Sequence, residues 1–83
     1  MKGTIYHTKK PRGIYSIKVD NVFIVIEDTD GADLNYGDII SGIPNNTGDA
    51  TLKNLETLEV FSAIVQNLNL NEQMPYKRMK LIG

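Results

Sequence analysis

The chain contains no cysteine. Neither a disulfide nor a thiolate metal site can therefore stabilise its fold, and the burial of apolar side chains must do so alone. The single histidine, His7, limits nucleophile–base pairs to His7 with a hydroxyl, and no serine stands in a recognisable nucleophile motif. The glycines are scattered among separate turns and form no phosphate-binding loop. These absences argue against an enzyme, and we expect no catalytic residue and no cofactor.

Long apolar runs are also missing. The longest purely apolar run is Val22–Ile26, far short of the roughly 20 residues that cross a bilayer as a helix. Met1 and Lys2 are followed by a polar stretch and not by the apolar region of a secretion signal. We therefore expect a cytoplasmic protein without membrane contact. Asp28–Asp33 is acidic, but its glycine falls at the fourth position where an EF-hand loop has it at the sixth, so no metal site is predicted.

Charge is segregated along the chain, although the formal net charge is only −1. Residues 1–19 carry five bases and no acid, residues 20–72 carry all ten acids and one base, and residues 73–83 carry three bases. A basic end beside an acidic middle favours an asymmetric surface potential, which is one feature of polyanion-binding proteins.

Short β-strands separated by turn residues are predicted in the first half. Asp20 and Asn21 connect two of them as a tight hairpin, and Pro11 and Gly13 break the chain before it. The predicted strands are Lys2–Thr8, Ile14–Val19, Val22–Glu27 and Ile39–Gly42.

Two interpretations remain open for the second half. Apolar residues between positions 52 and 68 recur at spacings of three and four, which suits a helix face. The same region also alternates, with β-branched residues concentrated at Val60–Val65. We favour a second hairpin, formed by Ala50–Glu56 and Leu58–Leu68, and keep the helix as the alternative.

The first half resembles the cold-shock domains. Lys2–Ile5, continuing through Arg12 and Gly13 to Ile17, is similar to the opening of that family, with its spacing of glycines; residues 21–25 and 37–40 are similar to later strands. The resemblance covers about half the chain. It implies a five-stranded OB-type barrel whose first three strands present aromatic side chains to single-stranded bases.

This sequence departs from the family at most stacking positions. Phe23 matches an aromatic of the family, whereas non-aromatic residues or histidine stand at the other platform positions, namely His7, Thr8, Ile14, Ser16 and Val25. Because base stacking on aromatic side chains contributes roughly 1–3 kcal/mol per base, these departures predict weaker binding than the family pattern implies.

Together the patterns predict an all-β fold, a small antiparallel OB-like barrel of five to six short strands in residues 1–70, followed by a polar to basic tail in residues 71–83. If the first three strands form one sheet, a basic loop and one sheet face come together as a candidate interface for single-stranded DNA or RNA. Its predicted residues are His7, Lys9, Lys10, Arg12, Ile14, Ser16, Lys18 and Phe23.

A protein-interaction or self-associating module is the alternative function. Leu58–Leu70 offers more apolar side chains than a minimal five-stranded barrel requires. The C-terminal segment or a protein partner would then cover the apolar face that carries Ile14 and Phe23. Pro75–Lys80 places an aromatic beside three bases, which indicates either a second phosphate-contacting element or ordinary solubilising charges.

Overall fold

The computed structural model describes the backbone of residues 1–70 and the side chains of residues 1–68. A 3₁₀ turn at Lys10–Arg12 is the one helical element in this part of the chain. No helix within residues 1–70 is long and apolar enough to cross a membrane. The predicted tail, residues 71–83, lies outside the described residues, so the predicted domain boundary stays a prediction.

The six strands are β1 (Lys2–Lys9), β2 (Ile14–Val19), β3 (Val22–Asp28), β4 (Ile39–Ser41), β5 (Gly48–Asn54) and β6 (Val60–Leu70).

The six strands form one closed barrel. Their order around the wall is β1-β2-β3-β6-β5-β4, with β4 pairing back to β1, and every neighbouring pair is antiparallel. The prediction of an all-β, small antiparallel barrel of five to six strands is confirmed. The barrel has one strand more than the five that the cold-shock resemblance implies.

The second half of the chain forms strands, and the helix alternative is wrong. β5 and β6 pair antiparallel, with Leu52 opposite Phe61. Phe61, Ala63 and Val65 alternate into the core, so the period of two decides the structure and the three-and-four spacing is coincidental. The hairpin turn covers residues 55–59, where Asn54 Oδ1 accepts a hydrogen bond from the Glu56 amide at 2.9 Å.

The core fills the inside of the barrel. Tyr15 and Phe61 are its largest fully buried members. Gly3 lies in β1 at a close approach to β2, because a Cβ there would come within 2.5 Å of Ile17 Cγ2. Apolar residues from all six strands and from the β3–β4 and β4–β5 connections form this cluster: Ile5, Tyr15, Ile17, Val19, Ile24, Ile26, Ala32, Leu34, Ile40, Ile43, Leu52, Phe61, Ala63 and Val65.

Candidate nucleic-acid interface

A β-bulge in β1 places two consecutive aromatic side chains on the outer surface of the barrel beside β2. Ile5 pairs with Ile17, and the next pair is His7 with Ser16, so that Tyr6 is the extra residue on β1. A bulge of this kind interrupts the strict alternation of side chains. Tyr6 and His7, although consecutive, therefore both lie on the outer side of the barrel, where they contact one another.

Four rings form an aromatic cluster on this outer side: Tyr6, His7, Phe23 and Tyr36. The Tyr6 ring lies at the centre, with centroid distances of 4.9 Å to His7, 5.2 Å to Phe23 and 5.8 Å to Tyr36. The first two contacts are edge-to-face, at interplanar angles of 77° and 71°, which is a favourable geometry for aromatic pairs. Tyr36, in the β3–β4 connection, is 73% exposed, so its ring can stack on a ligand.

Lys18 adds a cation to the aromatic cluster. It points outward from β2 and is exposed, with its Nζ 5.8 Å from the centroid of the Tyr6 ring. This distance falls within the range of cation–π attraction. The ammonium group is therefore held beside the rings and still reaches solvent.

Ser16 holds the His7 side chain against the sheet. The His7 amide donates a hydrogen bond to Ser16 Oγ at 2.9 Å, and His7 Nδ1 lies 2.6 Å from the same oxygen. When His7 is neutral with Nδ1 unprotonated, the serine hydroxyl donates to that nitrogen. Ser16 is fully buried, so it positions His7 and is not itself available to a ligand.

Three of the predicted interface residues share the outer face of the sheet but are buried. Ile14 is 1% exposed, Ser16 0% and Phe23 3%. Phe23 supports Tyr6 and His7 from below and has no open face of its own. Parity places Ser16 and Lys18 of β2 on the outer face, where Phe23 lies opposite Lys18, and the bulge in β1 brings His7 to the same face. Of these four residues, His7 and Lys18 are within reach of a ligand.

The basic loop faces an acidic loop. Lys10 Nζ lies 2.8 Å from Asp33 Oδ1 and 2.5 Å from Asn35 Oδ1. The hydrogen bond and the charge of Asp33 raise the pKa of the Lys10 ammonium. Lys10 is thus already bound to an anion of the same chain, although both partners remain exposed to solvent and the pair contributes little to stability.

Arg12 and Lys9 differ in their surroundings. Arg12 is exposed and lines an open cleft of about 390 Å³ that Asp28 and Asp33 also line. Lys9 is half-buried at the end of β1. The basic turn therefore presents mixed charge to a ligand, because carboxylates line the same cleft.

The sequence prediction omits Tyr6 and Tyr36, which belong to the aromatic cluster. Tyr6 carried a usable signal, because alternation from the inward-facing Ile5 places it outward. Tyr36 lies just before Gly37 in the long β3–β4 connection. No local sequence pattern predicts which strand a residue of such a connection will contact. Within residues 1–70, no three histidine, aspartate or glutamate side chains converge as a metal site.

The fold and the outer surface define a class: a small closed antiparallel barrel with an aromatic and basic patch on its first strands. Comparison of the chain with protein-family models, with curated proteins and with solved structures gives no match. The resemblance to cold-shock domains therefore stays a prediction.

Proposed function

We propose that this protein binds single-stranded nucleic acid through the aromatic cluster and Lys18. The observation that carries the proposal is the exposure of Tyr36, at 73%, within ring contact of Tyr6. A base can stack on the open tyrosine ring, and a lysine beside it neutralises a phosphate. The proposal keeps His7 and Lys18 from the predicted site, adds Tyr6 and Tyr36, and assigns Phe23 and Ser16 to their support.

The basic turn has a smaller part in this proposal than the charge pattern predicts. Lys10 would have to exchange Asp33 for a phosphate, and Arg12 shares its cleft with carboxylates. Affinity for a polyanion rises with the number of phosphates neutralised. We therefore place the binding energy in stacking, with Lys18 as the principal cation.

Fluorescence anisotropy of a labelled single-stranded oligonucleotide, titrated at low and moderate salt, tests the proposal. Tyr36→Ala removes an exposed ring with little effect on the core, and we expect it to weaken binding about 5- to 150-fold, which corresponds to the roughly 1–3 kcal/mol of one stacked base. Tyr36→Phe keeps the ring and should keep the affinity. An unchanged affinity in Tyr36→Ala would remove the basis of the proposal.

Lys18→Gln tests the cation separately. For a single strand, loss of one phosphate contact lowers the slope of log K against log salt by about 0.7. Lys53 is also exposed but lies on β5, across the barrel, so Lys53→Gln is the matched control and should leave the slope unchanged. Equal effects of the two substitutions would indicate a general response to net charge.

Self-association is the second candidate, and two exposed apolar residues favour it. Leu58, in the β5–β6 connection, is 68% exposed, and Val60, the first residue of β6, is 60% exposed. Exposed apolar side chains that lie close together are typical of contact sites between proteins. In sedimentation velocity over a range of concentrations, this alternative predicts association that Val60→Ser weakens, whereas a monomer at high concentration would exclude it.

A further inference from the structure

The open cleft beside the basic turn has charges of both signs on its walls. Its volume is about 390 Å³, within the range of sites that bind small organic groups. The lining residues that bear on its chemistry are Lys10, Arg12, Gly13, Asp28, Gly31 and Asp33. A phosphate group would be repelled by the two carboxylates as well as attracted by the two bases. The cleft therefore fits a ligand group that offers both hydrogen-bond donors and hydrogen-bond acceptors.

Two of the four charged side chains in the cleft neutralise one another. Lys10 Nζ lies 2.8 Å from Asp33 Oδ1, whereas Arg12 and Asp28 have no ion-pair partner among the described side chains. Asp28 is half-buried, and its Oδ1 accepts a hydrogen bond from the Asp30 amide at 2.9 Å. Because a carboxylate has about four acceptor positions, Asp28 can still accept two hydrogen bonds from a ligand.

The fold fixes Asp28 next to the basic turn. Asp28 ends β3, and its amide donates a hydrogen bond to the Gly13 carbonyl at 2.7 Å. A Cβ at Gly13 would lie 3.9 Å from the Asp28 Cβ, so no side chain of the turn separates the two. Arg12 directly precedes Gly13 and is exposed. The carboxylate of Asp28 and the guanidinium of Arg12 can therefore contact the same ligand.

Guanine is the base whose edges match a carboxylate and a guanidinium together. Its N1–H and 2-amino groups are adjacent donors, which match the two oxygens of one carboxylate. Its O6 and N7 are adjacent acceptors, which an arginine binds in a bidentate manner. Adenine and cytosine place an acceptor nitrogen beside their amino group, and uracil and thymine place their one N–H between two carbonyls. A carboxylate therefore repels part of each of those edges.

We infer that the cleft binds a guanine base of the single strand. Asp28 accepts hydrogen bonds from N1–H and the 2-amino group, and Arg12 donates to O6 and N7. The inference rests on the proposed binding of single-stranded nucleic acid and names the base that the protein selects. It also accounts for carboxylates beside a polyanion, because they contact the edge of a base and not its phosphate.

The cleft is close to the exposed ring on which a base is proposed to stack. Asp33 of the cleft lies three residues before Tyr36, a span of at most about 11 Å. Asn35, next to Tyr36, accepts a hydrogen bond from Lys10 Nζ, which holds this part of the connection against the cleft. Neighbouring nucleotides of one strand can therefore place one base on Tyr36 and another in the cleft.

Three labelled strands that differ at one position test the inference by fluorescence anisotropy. Each has thymine elsewhere, and the variable base is guanine, hypoxanthine or adenine. Hypoxanthine differs from guanine only by the loss of the 2-amino group. We expect the full chain to bind the guanine strand about 5- to 150-fold more tightly than the other two, the range for one base-specific bidentate contact. Equal affinity for the guanine and hypoxanthine strands overturns the inference.

Asp28→Asn assigns the preference to the carboxylate. The substitution keeps the size of the side chain and one oxygen for the Asp30 amide, but it replaces the second acceptor with a donor. We expect the preference for the guanine strand to disappear. Asp49→Asn, at an exposed site on β5, removes the same charge and should keep the preference. A preference retained in Asp28→Asn overturns the inference, and the amide spectrum verifies that both variants are folded.

Arg12→Lys tests the second contact, because it keeps the positive charge and removes the planar fork. A strand with 7-deazaguanine in place of guanine lacks the N7 acceptor. We expect the wild type to bind the guanine strand more tightly than the 7-deazaguanine strand, and Arg12→Lys to bind both equally with an unchanged salt slope. The same ratio of affinities in both proteins would contradict the assignment of O6 and N7 to Arg12.

Guanosine 5′-monophosphate, titrated into the isotope-labelled full chain, separates failure of the inference from failure of the proposed function. We expect the amide signals of Gly13 and Gly31 in the cleft to shift. Strands that bind without preference for guanine would overturn the inference and leave the proposed function standing. Shifts at Gly13 and Gly31 without binding of any strand would assign the cleft to a free nucleotide and overturn both.

Discussion

Tyr15 is the residue whose ionisation is most clearly tied to the fold. Its side chain is buried in the barrel, 2% exposed, and its hydroxyl donates to the carbonyl of Ala32 at 3.3 Å. Burial raises the pKa of the Tyr15 hydroxyl, because the charged phenolate is poorly solvated inside the barrel. The folded state therefore holds the tyrosine proton more tightly than the unfolded chain does.

We predict an alkaline loss of stability that depends on Tyr15. The contribution is fully present below the unfolded pKa of about 10 and is lost as pH rises through the higher folded pKa. Urea unfolding between about pH 9 and about pH 11 should therefore give a free energy of unfolding that falls with pH more steeply in the wild type than in Tyr15→Phe. The raised pKa of Lys10 contributes in the same window in both proteins. Equal slopes would contradict the assignment to Tyr15.

At the level of single residues, the sequence predicts which face of the sheet a side chain lies on but not whether it is exposed. The parity of β2 and β3 places Ile14, Ser16, Lys18 and Phe23 on one face without any structure. Parity does not report burial, so the sequence could not separate the exposed Lys18 from the buried Ile14. Tyr36 reaches the aromatic cluster through the path of the ten-residue connection between β3 and β4. That path depends on tertiary contacts such as the hydrogen bond from the Gly37 amide to the Ile5 carbonyl.

The β5–β6 connection contains a strained leucine. Leu58 has a φ of 64°, in the left-handed region where a side chain other than glycine costs roughly 1–2 kcal/mol. Its side chain is 68% exposed, so little packing is lost when it is removed. The hairpin keeps this conformation because the Leu58 amide donates to the Asn54 carbonyl at 2.7 Å.

We predict that Leu58→Gly stabilises the protein by up to about 1 kcal/mol. The relief of strain exceeds the roughly 0.5–1 kcal/mol that glycine costs through the entropy of the unfolded chain. Asp20, with a φ of 53° in the β2–β3 turn, is the matched control, because aspartate tolerates this region better than leucine does. Urea denaturation of Leu58→Gly and Asp20→Gly measures both changes, and a larger gain for Asp20→Gly would contradict the strain argument.

The ion pair between Lys10 and Asp33 predicts how a change of charge in the acidic loop affects oligonucleotide binding. Asp33→Asn removes the carboxylate that binds Lys10, which releases the ammonium for a phosphate and removes a repulsive charge. We expect tighter binding of the single-stranded oligonucleotide at low salt, with the salt slope increased by about 0.7. Asp49→Asn, at an exposed site on β5, is the control. A matching gain in both variants would show that only net charge matters.

Strand positions follow well from the sequence because each strand satisfies a local pattern. Ile14–Val19 is predicted with the observed bounds, and Val22–Glu27 falls one residue short at its end. The second hairpin is displaced: Ala50–Glu56 is observed as Gly48–Asn54. Asn54 explains this difference, since it is fully buried and its Nδ2 donates to Asp38 Oδ2 at 2.9 Å, a long-range contact that no local pattern contains.

The order of the strands around the barrel is a property of the whole molecule. Hairpins β2–β3 and β5–β6 are local and predictable, whereas the pairings of β3 with β6 and of β1 with β4 close the wall across long stretches of sequence. β4 is the shortest strand, pairing with β1 at positions 2–4 and with β5 only at Ile40 and Ser41. The wall is therefore held by the fewest backbone hydrogen bonds at β4.

We predict that the barrel opens first at β4. In native-state hydrogen exchange at low denaturant, the amides of Ile39–Ser41 should exchange at least about tenfold faster than those of Ile24 and Ile26, because local openings need less free energy where fewer pairs break. Simultaneous exchange of both groups, with the same dependence on denaturant, would indicate that the barrel opens only by global unfolding.

Closure of the wall restricts the way in which residues 1–70 can evolve new partners. Each of the six strands is paired on both sides, so a foreign strand cannot be added to the sheet without displacing one that is present. A genetic screen for variants with altered partners should therefore recover substitutions of outward-facing side chains and of loop residues. Proline substitutions within the strands should appear instead among the variants that fail to accumulate in the cell.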